Sequence, residues 1–104
     1  MKTVITSKEN HIQSEIDLRF GRGCYFCLYD SETKQVDFIK NDFANLPNGA
    51  GTKAAAKIIE LNAQKVISGD FGIKVKKILN KHPIQMVILD QEQKSIQEII
   101  DLLS

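Results

Sequence analysis

The stretch Arg19-Phe20-Gly21-Arg22-Gly23-Cys24-Tyr25-Phe26 places a guanidinium, two glycines and a thiol just ahead of an apolar run. A guanidinium fork suits carboxylate, phosphate or another oxyanion. Glycine opens backbone geometry that other residues lack. A thiolate at Cys24 could bind a soft metal or a cluster, and His11 in the preceding loop is a second candidate metal ligand. Two more glycine-bearing turns follow, Asn48-Gly49-Ala50-Gly51 and Ser68-Gly69-Asp70-Phe71-Gly72, each ahead of a helical pattern. Free N–H groups and the helix dipole favour an anion at such turns. The candidate ligand-binding set is therefore Gly21, Arg22, Cys24, Gly49, Ala50, Gly51, Gly69, Asp70 and Gly72. No constellation for acid/base or nucleophilic chemistry stands beside it.

Each element also has an ordinary reading. Asp70 can cap the helix that follows. The Gly49–Gly51 turn lacks the lysine of a phosphate-binding P-loop. Cys24 and Cys27 have Cys-x-x-Cys spacing without a second pair, which argues against a zinc site. Three residues apart on a strand they point to opposite faces, so Cys27 is read as packing. His82 sits at the far end of a helical stripe and is excluded from the site.

These residues must be positioned by a small α/β domain. The chain has 104 residues, 26% of them charged, with a formal net charge of +1, so a single domain over 1–104 with no global nucleic-acid footprint is expected. No apolar run is long enough for a membrane span. The start, Met1 to Thr6, turns polar too soon for a signal peptide. A cytoplasmic protein with free thiols is the default expectation.

Thr3–Thr6, Cys24–Asp30 and Gln35–Asn41 read as strands, the last two as a hairpin across the polar turn 30–34. Thr52–Gln64 reads as an alanine-rich helix. Lys65–Ser68 is a fourth strand. Phe71, Val75, Ile78, Leu79 and His82 form one helical stripe that Pro83 ends. Ile84–Leu89 is a fifth strand, and Ser95 with Glu98 makes a capping box for a third helix carrying Ile96, Ile99, Ile100 and Leu103. The economical arrangement is a five-stranded mixed sheet, order 3-2-1-4-5, with only strand two antiparallel and three helices on its faces. The long loop 7–23 is of the kind that is functional or mobile. That topology brings the three glycine turns to one edge, at the switch point between strands one and four where open sheets bind ligands.

In this order and spacing, Phe20-Gly21-Arg22 with Tyr25-Phe26, then Gly49-Ala50-Gly51, then Ser68-Gly69-Asp70-Phe71-Gly72, resemble the dinitrogenase iron–molybdenum cofactor biosynthesis family across almost the whole chain. The resemblance implies a ribonuclease H-like fold. It implies a non-enzymatic domain that binds or carries the iron–molybdenum cofactor or its iron–sulfur precursor, with metal-cluster assembly proteins as partners. Arg22, Gly49, Gly51, Gly69 and Gly72 match family positions. The chain has Pro47-Asn48 where many members carry a histidine, which keeps a metal-free small-anion or protein-interaction domain as the alternative. Strand one, Thr3-Val4-Ile5-Thr6, has none of the acidic residues that a two-metal nuclease of this architecture needs. The ligand, the partner and the oligomeric state are not legible at this level.

Overall fold

A computed structural model describes residues 1–103. The elements are β1 (Lys2–Ser7), β2 (Tyr25–Asp30), β3 (Val36–Lys40), α1 (Ala50–Glu60), β4 (Lys65–Ser68), α2 (Ile73–Leu79), β5 (Gln85–Ile88) and α3 (Ile96–Leu103). The five strands form one sheet in the order β3-β2-β1-β4-β5. β2 pairs antiparallel with β1 and β3, and the β1–β4 and β4–β5 pairs are parallel. Order and direction are those expected from the sequence. Among the described residues, no helix is long and apolar enough to cross a membrane.

The three central strands are buried on both faces, and their period of two sorts side chains between two cores. Val4, Phe26 and Val66 face α1 and α2, where Ala54, Ala55, Ile58, Val75 and Leu79 meet them. Ile5, Cys27 and Ile67 face the other way, against Ile16 and the α3 residues Ile96, Ile99 and Ile100. Cys27 is packing, as read from its spacing. Burial pushes its thiol up to about 12, so it stays neutral and inert.

The helix boundaries correct the expectation. α1 begins at Ala50 rather than Thr52 because Gly49 takes the left-handed conformation (φ 78°) and turns the chain there. It ends at Glu60 rather than Gln64. Asn62 adopts φ 58°, and the Asn62 and Ala63 N–H groups bond back to the Ile59 and Ile58 carbonyls. This is a Schellman-type stop built on asparagine. α2 is shorter than its stripe. Its N-cap is Gly72 and not Asp70, and no side chain caps it. Lys81 and His82 donate to the Ile78 and Leu79 carbonyls in a tighter turn, because the residue before Pro83 is driven out of the α region. The expected capping box of α3 is present. Glu98 N–H donates to Ser95 Oγ (3.1 Å) and Ser95 N–H to Glu98 Oε1 (3.2 Å).

The long β1–β2 connection is tied down rather than loose. Ile16 N–H donates to the Lys94 carbonyl, and the Ile96 and Gln97 N–H groups donate to the Ser14 and Ile12 carbonyls. Beyond Ile16 the chain folds across the carboxyl ends of β1 and β4. There a Cβ on Gly69 would lie 2.7 Å from Leu18 Cα, and one on Gly21 would lie 2.7 Å from Gly51 Cα and N. Both distances are closer than any real Cβ contact, so the loop can lie down only on bare backbone.

Gly69→Ala and Gly21→Ala are expected to lower stability by about 1–3 kcal/mol each through forced backbone displacement. Gly72 has open space around it and an ordinary negative φ of −64°. In Gly72→Ala the weaker N-cap and the stiffer unfolded chain offset, leaving a change within about 0.5 kcal/mol. Urea denaturation of the three variants checks the contrast.

Candidate functional site

The loop that crosses the rim is organised by one buried carboxylate. Asp17 is 2% exposed. Its N–H donates to the Thr6 carbonyl, and its own carbonyl accepts from Thr6 Oγ1 (2.5 Å). A hydroxyl has one proton, so Thr6 spends its own on that carbonyl. The Ser68 hydroxyl, 2.8 Å away, completes the chain of bonds by donating to Thr6. The crevice at the β1–β4 switch point is therefore filled by Asp17 and Leu18.

The Asp17 carboxylate is held by Arg19 in a bidentate pair. Nε donates to Oδ1 at 3.0 Å and Nη2 to Oδ2 at 2.9 Å, and the Arg19 backbone N–H adds a third bond to Oδ1. Burial alone would raise the Asp17 pKa. The bonds from Arg19 outweigh it and leave the carboxyl below its usual range. The Arg19 guanidinium is correspondingly raised, chiefly by its bonds to Asp17, with a small contribution from nearby Cys24. Arg19 itself stays 64% exposed.

A second polar tie closes the rim. Asn41, at the end of β3, is buried. Its side-chain amide donates to the Gly21 and Gly23 carbonyls (3.0 and 2.9 Å), its Oδ1 accepts from Phe43 N–H, and its backbone N–H donates to the Cys24 carbonyl. Arg22 Nη1 then reaches the Ala44 and Leu46 carbonyls. The β1–β2 and β3–α1 loops are thus joined by side-chain bonds at several points.

Between these two loops lies a cavity of about 770 Å³, lined by Lys8, Arg19, Arg22, Cys24, Tyr25, Lys40, Asn41 and the segment 44–47. Four cations line it and no carboxylate does. Two of the cations are already compensated, Arg19 by Asp17 and Lys8 by Glu15 and Glu92 (3.1 and 2.8 Å). Arg22 and Lys40 have no carboxylate partner among the described residues, and they share the cavity with Cys24, an exposed free thiol. A small positive surplus, a tyrosine phenol and a thiol share one concave site, a lining whose chemistry is complementary to an anion.

The structure divides the residues picked from the sequence. Arg22 and Cys24 line the cavity. Gly49, Gly51 and Gly72 line a separate cleft of about 380 Å³ between the starts of α1 and α2. Gly21 and Gly69 are closed against other backbone, and Ala50 is buried. Asp70 is exposed and lines neither space. His11 also lies outside the cavity, paired with Glu9 at 2.6 Å. Among the described residues no three His, Cys, Asp or Glu gather as a metal site. The loops do converge on one rim, but the glycines serve close chain packing more than an open cradle. Asp17, Lys40 and Asn41 were missed. The Asp17-x-Arg19 spacing ahead of the glycines was the signal available for the first.

The family model described as dinitrogenase iron-molybdenum cofactor matches residues 1–104, and the chain belongs to that family. No curated protein matches it. Among solved structures, the apo form of the orange protein from Desulfovibrio gigas superposes with a TM-score of 0.90 at 23% identity, over 98% of this chain and 85% of that one. A Thermotoga protein provisionally named NifB, of the DUF35 family, superposes with a TM-score of 0.82 at 24% identity, over 98% and 85%. At these identities the likeness is one of fold.

Asp17→Asn is expected to lose about 1–3 kcal/mol at neutral pH, the scale of hydrogen bonds to a charged group. Because the folded pKa of Asp17 is lowered, its contribution is fully present above the ordinary carboxylate value. It is lost as pH falls through the folded value. Denaturation of both proteins across the acid range should show the gap closing at low pH.

Proposed function

We propose, from this family membership, that the chain is a non-enzymatic binding or carrier domain whose cargo is an anionic metal cluster of the iron–molybdenum cofactor class or its iron–sulfur precursor. The observation that carries the reading is the cavity between the two loops, with four cations, no carboxylate and one exposed thiol in its lining. A cluster bearing its own sulfide or oxide ligands needs few from the protein. Cys24 supplies one thiolate, and Arg22 and Lys40 offset the charge. His11 would have to leave Glu9 to add a second ligand. Asp17, the buried carboxylate of the rim, is committed to Arg19, which leaves it poorly placed to act as a base. Exchange with metal-cluster assembly proteins in the cytoplasm, and a ribonuclease H-like fold, accord with this reading.

A second reading is favoured by one observation. Cys24 is a single soft ligand, and Pro47-Asn48 stands beside the glycine turn where the family resemblance implies a histidine. A small oxyanion held by Arg22 and Lys40 without metal would use the same cavity.

Anaerobic incubation with ferrous iron, sulfide and molybdate, then desalting and metal analysis, separates the two. The wild type is expected to retain metal with visible sulfur-to-metal absorption, and Cys24→Ala to lose both. Lys40→Gln is the clean charge variant, because Arg22 also holds the 44–46 segment. It should weaken retention about three- to tenfold, the scale of one partly exposed charge pair. A wild type that retains no metal, but whose cavity amides shift with sulfate or phosphate, establishes the metal-free reading.

A further inference from the structure

We propose that the outer face of α2, with the cleft at its start, docks an acidic protein surface that inserts an apolar side chain. This does not depend on what the neighbouring cavity carries. Residues 73–82 hold Lys74, Lys76, Lys77 and Lys81 and no carboxylate. None of these lysines has an ion pair or side-chain hydrogen bond among the described residues, whereas Lys8, Lys57 and Lys94 are each paired.

The geometry of α2 sets the face. Val75 and Leu79 are buried against the sheet, so Ile73 and Lys77, one turn apart, occupy the middle of the opposite side. Lys74, Lys76 and Lys81 flank them. Ile73 is 74% exposed. Scattered surface apolar residues are ordinary, but this one borders a cleft of about 380 Å³ whose other walls include Gly49, Gly51, Gly72 and Val75. No side chain projects from the three glycine positions, and the space around Gly72 is open, room for one inserted side chain. An apolar anchor surrounded by unpaired cations matches a protein partner, with the lysines steering the encounter and the cleft supplying the buried contact.

The alternatives fit the face less well. A nucleic-acid backbone gains its affinity from phosphate contacts and makes no use of an isoleucine at the centre. A single isoleucine on a seven-residue helix is too little to enter a bilayer. The placement also has a use. Gly49 in the cleft lies two residues from Pro47 in the larger cavity, so a partner seated on α2 touches the loop that walls the other site.

Amide-resolved NMR titration of the full chain with the peptide acetyl-Glu-Glu-Leu-Phe-Glu-Glu-amide tests the proposal. The same-charge peptide with Gly-Ser at its centre and a single-stranded oligonucleotide serve as the other probes. The Leu-Phe peptide is expected to shift Gly49, Gly51 and residues 72–77, and to bind about tenfold more weakly when salt rises from about 20 to about 200 mM. Ile73→Ser should weaken it about fivefold, and Lys74→Glu with Lys77→Glu should abolish it. Both sets of changes are at exposed positions, so retained amide dispersion confirms the fold. Equal binding of the two peptides, tighter binding of the oligonucleotide, or no shift at millimolar peptide overturns the proposal. So does a shift of the same amides on dilution of the protein alone, which would assign the face to a second copy of this chain.

Discussion

The architecture of this rim depends on one constraint: residues 17–23 must lie flat on the carboxyl ends of β1 and β4. A side chain at Gly69 would hold the loop off the sheet edge, and one at Gly21 would hold it off the start of α1. With the backbone bare at both points, the Asp17 peptide hydrogen-bonds to Thr6 on both sides, and the Asp17 carboxylate arrives in a place too dry to leave unpaired. Arg19 is the required counterion, and pairing it fixes a guanidinium beside the cavity. Arg19's place in the lining is thus a by-product of covering the sheet edge, and the uncompensated charge beside it comes from Arg22 and Lys40.

The opposite wall follows from Asn41. One side-chain amide satisfies two carbonyls of the first loop and one N–H of the second. That replaces, in a single residue, the strand pairing that ends at Lys40. Because Arg22 also spends one nitrogen on the second loop, the cavity is braced from both sides by polar contacts rather than by hydrophobic packing. Such bonds are short-range and directional, and they position cations more precisely than a flexible lysine-rich surface does.

The strand order, the direction of β2 and the box that starts α3 were legible because each rests on local pattern: alternation, connection length, and Ser95 three residues before Glu98. What was not legible depends on a backbone conformation that residue type leaves open, or on residues far apart in sequence. Nothing near Asn62 distinguishes it from any loop asparagine until its left-handed turn is seen. The glycines were recognised as special, but smallness serves two ends, and only three-dimensional proximity shows that Gly21 and Gly69 admit backbone rather than a ligand. Lys40 carries no local mark, and Asp17 carries only its spacing to Arg19. Their importance comes from Thr6, Ser68 and the β2–β3 register, which sets Tyr25 opposite Lys40.

The two thiols have opposite fates three residues apart, with Cys24 exposed just ahead of β2 and Cys27 sealed within it among Ile5, Tyr29 and Ile99. A maleimide fluorophore or nitroxide therefore attaches once per molecule, without any engineered replacement. The native polypeptide comes with a stoichiometric reporter already mounted in the wall of the hollow between its two loops.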